Sequence, residues 1–229
     1  MLEGLRGRLK WLDPFTYVDL YLMPMVNPKG DKLVENIVYV VSALVFAFVI
    51  YNFVLAGILG TASPLVIVYS GSMEPVLYRG DVVVLTGSKD FAVREAIVDF
   101  PVGGKPISGY AEVGVTGMGS GAKESSLEIG GVEYEFDASG PVVVYYSLLR
   151  RQDIIHRAVL KLKAPDGDFL ITYGDSNTRI DQDCRGGIDC ISLYPVPADG
   201  VKGQYLFHIP LIGYAKLLVF DDLPRLLGF

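Results

Sequence analysis

Two histidines and two cysteines are the whole supply of imidazole and thiol metal ligands in 229 residues. Neither a CxxC pair nor an HExxH helix can be found, so no metal centre and no cofactor is expected. Charge is scarce as well: Asp, Glu, Lys and Arg together make 20% of the chain, against 51% hydrophobic residues and a mean hydropathy of +0.37. A disordered tail carries the opposite balance. Basic residues are outnumbered, 20 to 26, and the net charge of -6 argues against nucleic acid, whose phosphates must be met by an excess of Lys and Arg. No phosphate-cradling glycine loop is visible either. Against these absences stand 26 glycines, 13 prolines and 14 tyrosines, a composition of turns and strands rather than of a helical bundle.

The hydrophobic excess is concentrated. Ile37–Leu59 reads IVYVVSALVFAFVIYNFVLAGIL, 23 residues without a charge. As a helix it would reach roughly 35 Å, enough for a hydrocarbon layer of about 30 Å. It starts too far from Met1, and runs too long, for a cleaved leader. Arg6, Arg8, Lys10, Lys29 and Lys32 precede it, whereas only Arg79 appears in the twenty residues that follow. The positive-inside rule places residues 1–36 in the cytoplasm and 60–229 outside. Trp11–Val26 is read either as a segment lying along the inner interface or as a cytoplasmic helical hairpin broken at Pro14 and Pro24.

Beyond the span the chain reads as strands: 65–70, 81–86, 111–116, a hairpin over 126–136 turning at Gly130-Gly131, 141–147, 154–163 and 169–173. Glycines crowd residues 101–150, which read as an insertion on a main sheet. Residues 211–229, apolar but interrupted by Lys216, Asp221, Asp222, Pro224 and Arg225, read as a segment resting on the outer leaflet after a terminal strand.

Without a metal, hydrolytic chemistry needs a nucleophile and a base. Ser72 lies in SGSMEP, directly after an apolar strand, where neighbouring N–H groups can face a developing oxyanion. His156, in DIIHRA, has the residue type that accepts a proton at neutral pH. His208, in YLFHIP, is read as structural. Asp175, Asp181 and Asp183 follow a strand in YGDSNTRIDQD and offer a carboxylate to orient the imidazole. The loop fails the calcium-binding EF-hand template, lacking its glycine and its closing glutamate.

SGSMEP, IIHRA and YGDSN with a later Asp together resemble the sequence boxes of type I signal peptidases, in the archaeal and endoplasmic-reticulum branch. The span and the closing GQYLFHIPLIGY are similar too, and the likeness covers about 37–90 and 153–216. The resemblance implies a mainly β catalytic domain of twisted sheets forming a partial barrel, behind one N-terminal transmembrane helix. It implies a membrane-bound serine endopeptidase that removes signal peptides outside the cytoplasmic membrane. Ser72 would be the nucleophile, His156 the base, Asp181 its orienting carboxylate and Asp175 a support, with Ser70 and the Ser72 N–H as oxyanion partners. Expected partners are preproteins, the lipid bilayer and the export translocon. Asp175 is expected to cap its own turn, and Asp183 to be solvated. Lys161 and Lys163 keep a Ser–Lys dyad open. A surface domain without activity, or a membrane serine esterase, are the rival functions. Cys184 and Cys190, in CRGGIDC outside the membrane, are expected to form a disulfide.

Overall fold

A computed structural model describes residues 10–118, 121–185 and 190–224, and the chain separates into two compact units, Met1–Ile58 and Leu59–Phe229. Arg6 and Arg8, the turn glycines of CRGGIDC, and Arg225 with the rest of the C-terminal segment lie outside the described residues.

In the first unit the apolar helix runs Lys32–Leu59, longer at its start than the uncharged stretch. Asp31 explains the early start, because its Oδ1 accepts the Leu33 N–H at 2.8 Å and caps the helix. By length and composition this helix is able to cross a membrane. Most of its apolar side chains are exposed, among them Val40, Leu44, Phe48 and Phe53. Before it, helical residues 14–26 start behind the N-cap Asp13 and contain Pro14 at their first position. They pack back on the long helix, with Phe15 5.9 Å from the Tyr39 ring and 5.6 Å from Phe46.

The second unit is β-rich. Its strands are β1 (Leu65–Ile67), β2 (Val82–Thr86), β3 (Glu95–Ile97), β4 (Ala111–Thr116), β5 (Lys123–Ile129), β6 (Val132–Glu135), β7 (Val142–Ser147), β8 (Gln152–Ala164), β9 (Gly167–Tyr173), β10 (Val196–Pro197) and β11 (Val201–Ile209). Among the described residues, eight of these form one sheet in the order β1-β2-β11-β7-β8-β9-β10, with β3 added in parallel beside β8. The remaining three, β4-β5-β6, form a small antiparallel sheet. Val142–Ser147, inside the stretch expected as an insertion over 101–150, is instead an interior strand of the main sheet, between β11 and β8. Its VVVYYS run is fully flanked by partners, which suits β-branched and aromatic side chains.

Three clusters bury the faces. Leu127 and Ile129 of the small sheet share a core with Leu160, Leu162, Ile171, Tyr173 and Ile180. Val143, Tyr145, Ile154, Ala158 and Leu170 form the second, and Met73, Leu77, Val83, Leu85 and Val144 the third. The last cluster anchors the loop between β1 and β2, and so sets the height of Ser72. At about 25 cal/mol per Å² of apolar surface, burying a side chain such as Met73 or Leu77 contributes roughly 1.5–3 kcal/mol.

Candidate active site

The loop bearing Ser72 is closed at its neck by Val68 N–H to Asp81 O and Gly80 N–H to Val68 O, both 2.9 Å. Met73 and Leu77 point down into the core, 1% and 0% exposed, while Ser72 stays half-buried at the rim. The next turn of chain is strapped to it from above. Ser176 N–H donates to Ser72 O at 3.0 Å, and its hydroxyl donates to Gly71 O at 2.9 Å. The GDSN turn thus fixes the backbone on which the serine hydroxyl stands.

His156 lies on β8 opposite Val143, flanked by β7 and β9, and is 2% exposed. Strand alternation sends it to the buried side with Ile154 and Ala158, and sends Arg157 to the other. Its Nε2 is 2.9 Å from Ser72 Oγ, and its Nδ1 is 2.7 Å from both carboxylate oxygens of Asp181. With the proton on Nδ1 directed to the carboxylate, Nε2 presents its lone pair to the serine hydroxyl.

Asp181 reaches this point because the chain turns after β9 and pairs back on it, with Asp181 N–H on Thr172 O at 2.9 Å. Its side chain is fully enclosed, and two hydroxyls that sequence reasoning missed complete its shell. Tyr145 OH donates to Oδ2 at 2.7 Å and Thr172 Oγ1 donates to the same oxygen at 2.6 Å. Gln182 Nε2 donates to Thr172 Oγ1 at 3.1 Å, which directs the threonine proton to Asp181. Burial first, and the Asp181 charge second, push the Tyr145 phenol well above its ordinary value, so it remains a proton donor. Charge-assisted bonds of this kind stabilise the carboxylate and hold its plane.

The other acidic residues stand elsewhere. Asp175 does not cap its own turn: it makes a two-pronged pair with Arg157, Nε to Oδ1 at 2.7 Å and Nη2 to Oδ2 at 2.6 Å. Arg157 Nη1 also donates to Gly140 O at 2.7 Å, and the Asp175 hydrogen bond raises the guanidinium above its ordinary value. A guanidinium fork matches a carboxylate better than scattered N–H groups do. Asp183 is not solvated. It is 5% exposed and paired with Arg185 Nε at 2.7 Å. Lys161 and Lys163 both bind Glu95, at 2.5 and 2.7 Å, and neither contacts Ser72. His208 sits against Tyr205 OH at 3.0 Å. Ser70 Oγ lies 3.2 Å from Ser72 Oγ. Among the described residues no group of three His, Cys, Asp or Glu side chains is placed to hold a metal ion.

Gly174 shows how tightly the imidazole is enclosed. A Cβ there would stand 2.9 Å from His156 Nε2 and 2.5 Å from Asn177 Nδ2. Gly174→Ala is therefore expected to displace the ring and lower kcat about 10²-fold, the cost of an ångström-scale misplacement. Steady-state kinetics on that variant, beside its melting temperature, check this; unchanged kcat would contradict it.

Cys184 and Cys190 are bridged, with Cα atoms 4.8 Å apart. The bridged segment leads into Ile191 and Ser192, whose N–H groups donate to Asp181 O at 3.2 and 2.9 Å. Mass spectrometry of protein isolated without reductant should find the pair oxidised, and two free thiols would contradict the pairing. A loop this short stabilises by about 2 kcal/mol.

A serine hydroxyl, an imidazole and a buried carboxylate in one hydrogen-bonded line are the working parts of a serine hydrolase, here in a chain order unlike those of chymotrypsin, subtilisin or the α/β-hydrolases. No protein-family model matches the chain. Individual relatives do. Over 165 residues it is 28% identical to the signal peptidase complex catalytic subunit SEC11 of Arthroderma benhamiae, covering 71% of this chain and 70% of that one. The subunit of the same name from Yarrowia lipolytica is 26% identical over 200 residues, 86% of this chain and 88% of that one. That of Clavispora lusitaniae is 25% identical over 203 residues, 85% and 87%. The chain is accordingly a homologue of type I signal peptidases of the endoplasmic-reticulum kind.

Proposed function

We propose that this protein is a membrane-bound serine endopeptidase that cleaves N-terminal signal peptides from exported preproteins. The observation that carries the reading is the line Ser72–His156–Asp181, 2.9 and 2.7 Å between its members, in a homologue of signal peptidase catalytic subunits. Ser72 Oγ attacks the scissile carbonyl carbon while His156 Nε2 takes its proton. The C–N bond then breaks, the proton passes from Nε2 to the departing amine, and an acyl-serine remains. Water, deprotonated by the same nitrogen, attacks that ester and frees Ser72 with its proton restored. Asp181 holds the tautomer throughout. The Ser72 N–H and the Ser70 hydroxyl are the candidate donors for the oxyanion. Asp175 supports the site at one remove, tying Arg157 of the base-bearing strand to the turn that straps Ser72.

On this reading the protein sits in the cytoplasmic membrane with residues 1–36 inside and 60–229 outside, an orientation that the distribution of Lys and Arg about the span supports. Exposed Leu211, Ile212, Leu218, Val219 and Phe220 support a C-terminal segment lying on the outer leaflet. Confining enzyme and membrane-embedded substrate to one surface raises their effective concentration. Preproteins, the bilayer and the export translocon are the partners this reading requires. The resemblance carries a preference for small residues at the first and third positions before the cut. Incubating the full chain in detergent with model preproteins tests it: an Ala-x-Ala junction should be cut, and equal cleavage with Leu at the first position would contradict it.

A further inference from the structure

We infer that the small sheet β4–β6 positions the triad carboxylate, and that Glu124 is the residue through which it acts. The inference rests on the reading of Asp181 as the orienting carboxylate. Glu124, on β5, is 6% exposed and reaches into the loop that carries Asp181. Its Oε2 accepts the N–H of Ile180, immediately before Asp181, at 2.8 Å. The Oε1 of the same carboxyl group stands 3.5 Å from Nη2 of Arg185, four residues after Asp181. Its own N–H donates to Thr178 O at 3.0 Å. One residue therefore grips the loop on both sides of the triad carboxylate.

The grip is backed by the sheet. Lys123, next to it, reaches Asp175 O at 3.4 Å and lies 4.6 Å from the centre of the Tyr173 ring. Leu127 and Ile129, further along β5, share a core with Tyr173 and Ile180. Ser126 Oγ donates to Glu133 at 2.6 Å, fastening β5 to β6. Loop and sheet thus form one packed body that holds Asp181 against Nδ1.

Glu124 and Asp183 both meet the Arg185 guanidinium, and two carboxylates brought this close favour keeping one proton between them. Burial first, and Asp183 next, push Glu124 up to about 7. Asp183 is held at about 2, against its burial, by the Arg185 guanidinium and by Glu124. The groups facing this proton are Asp183 and Arg185 from the loop, Arg185 Nη2 standing 3.5 Å from Glu124 Oε1. Lys123 on the same strand points instead to Asp175, and Arg179 to the Arg185 carbonyl. The group's folded value is raised, so its contribution is complete below the ordinary glutamate range and is lost as pH rises through about 7. Above that, two facing carboxylates share one guanidinium and the loop loosens around Asp181.

The test is preprotein cleavage by the full chain in detergent, as kcat and KM against pH, for wild type, Glu124→Gln, Glu124→Ala and Asp181→Asn. Glutamine mimics the protonated acid, accepting from Ile180 and placing no second charge beside Asp183 at any pH. Glu124→Ala should lose about 10²-fold in kcat with KM unchanged. Glu124→Gln should recover most of that loss and flatten the decline of kcat that wild type shows on the alkaline side. If the alanine variant does not fold, the glutamine profile decides: a flattened alkaline limb supports the inference, and a limb identical to wild type overturns it. Wild-type kcat in both Glu124 variants beside an inactive Asp181→Asn overturns it too. An Asp181→Asn variant as active as wild type overturns the triad reading itself, whatever Glu124 does.

Discussion

Asp181→Asn is expected to fold at nearly the wild-type melting temperature and to lose about 10⁴-fold in kcat, the loss seen when a triad carboxylate becomes an amide. The reason lies in its shell. Tyr145 OH and Thr172 Oγ1 both donate to Oδ2, so an amide must turn its carbonyl oxygen to them. Its NH₂ group then faces His156 Nδ1, which has to accept. The ring proton moves to Nε2 and points at Ser72, where it blocks the proton transfer the mechanism needs. Asp175→Asn should behave differently. It halves a charge-assisted pair whose side chains are only 15% and 14% exposed, leaving Arg157 partly uncompensated. A stability loss of about 3 kcal/mol is expected, with turnover affected less. Turnover and melting temperature of both variants check the pair, and an active Asp181→Asn beside a stable, inactive Asp175→Asn would reverse the assignment.

His156→Ala removes the only base in contact with the serine hydroxyl among the described residues, and a fall of about 10⁶-fold in kcat is expected. Lys161→Ala and Lys163→Ala should leave turnover near wild type, because both ammonium groups are committed to Glu95. Cleavage surviving in His156→Ala but lost in either lysine variant would replace this base with a Ser–Lys dyad.

Some of this was legible in the sequence and some could not be. Ser72, His156, Asp175 and Asp181 each stand in a setting that reads as an ordinary turn or strand, and only their joint resemblance to the signal-peptidase boxes singles them out. The larger strands were readable from alternating β-branched and aromatic runs. Tyr145 and Thr172 gave no such signal. Each sits in a strand, VVVYYS or FLITY, where a hydroxyl on an inward phase looks like any other bulky residue. The one clue is phase: Tyr145 shares the buried side of β7 with Val143, where a phenol needs a partner. Glu124 was hidden in the same way, a carboxylate on a strand whose partner loop lies some 56 residues away. Strands β3 and β10, three and two residues long, are too short for any periodicity to show. Asp183 was misread because an Asx-rich turn is usually solvated, and only tertiary placement of Glu124 and Arg185 encloses it.

The most direct measurement of the central claim is cleavage of one model preprotein by the purified full chain and by Ser72→Ala, side by side in detergent. Deleting one hydroxyl from a half-buried turn leaves Met73 and Leu77 in the core and the Ser176 straps on the backbone, so the variant should insert and melt like wild type. The wild-type chain should release a mature product cut at a single junction. The variant should release none above the uncatalysed background. A correctly folded Ser72→Ala that still produces the same mature chain at a measurable fraction of the wild-type rate would contradict the account.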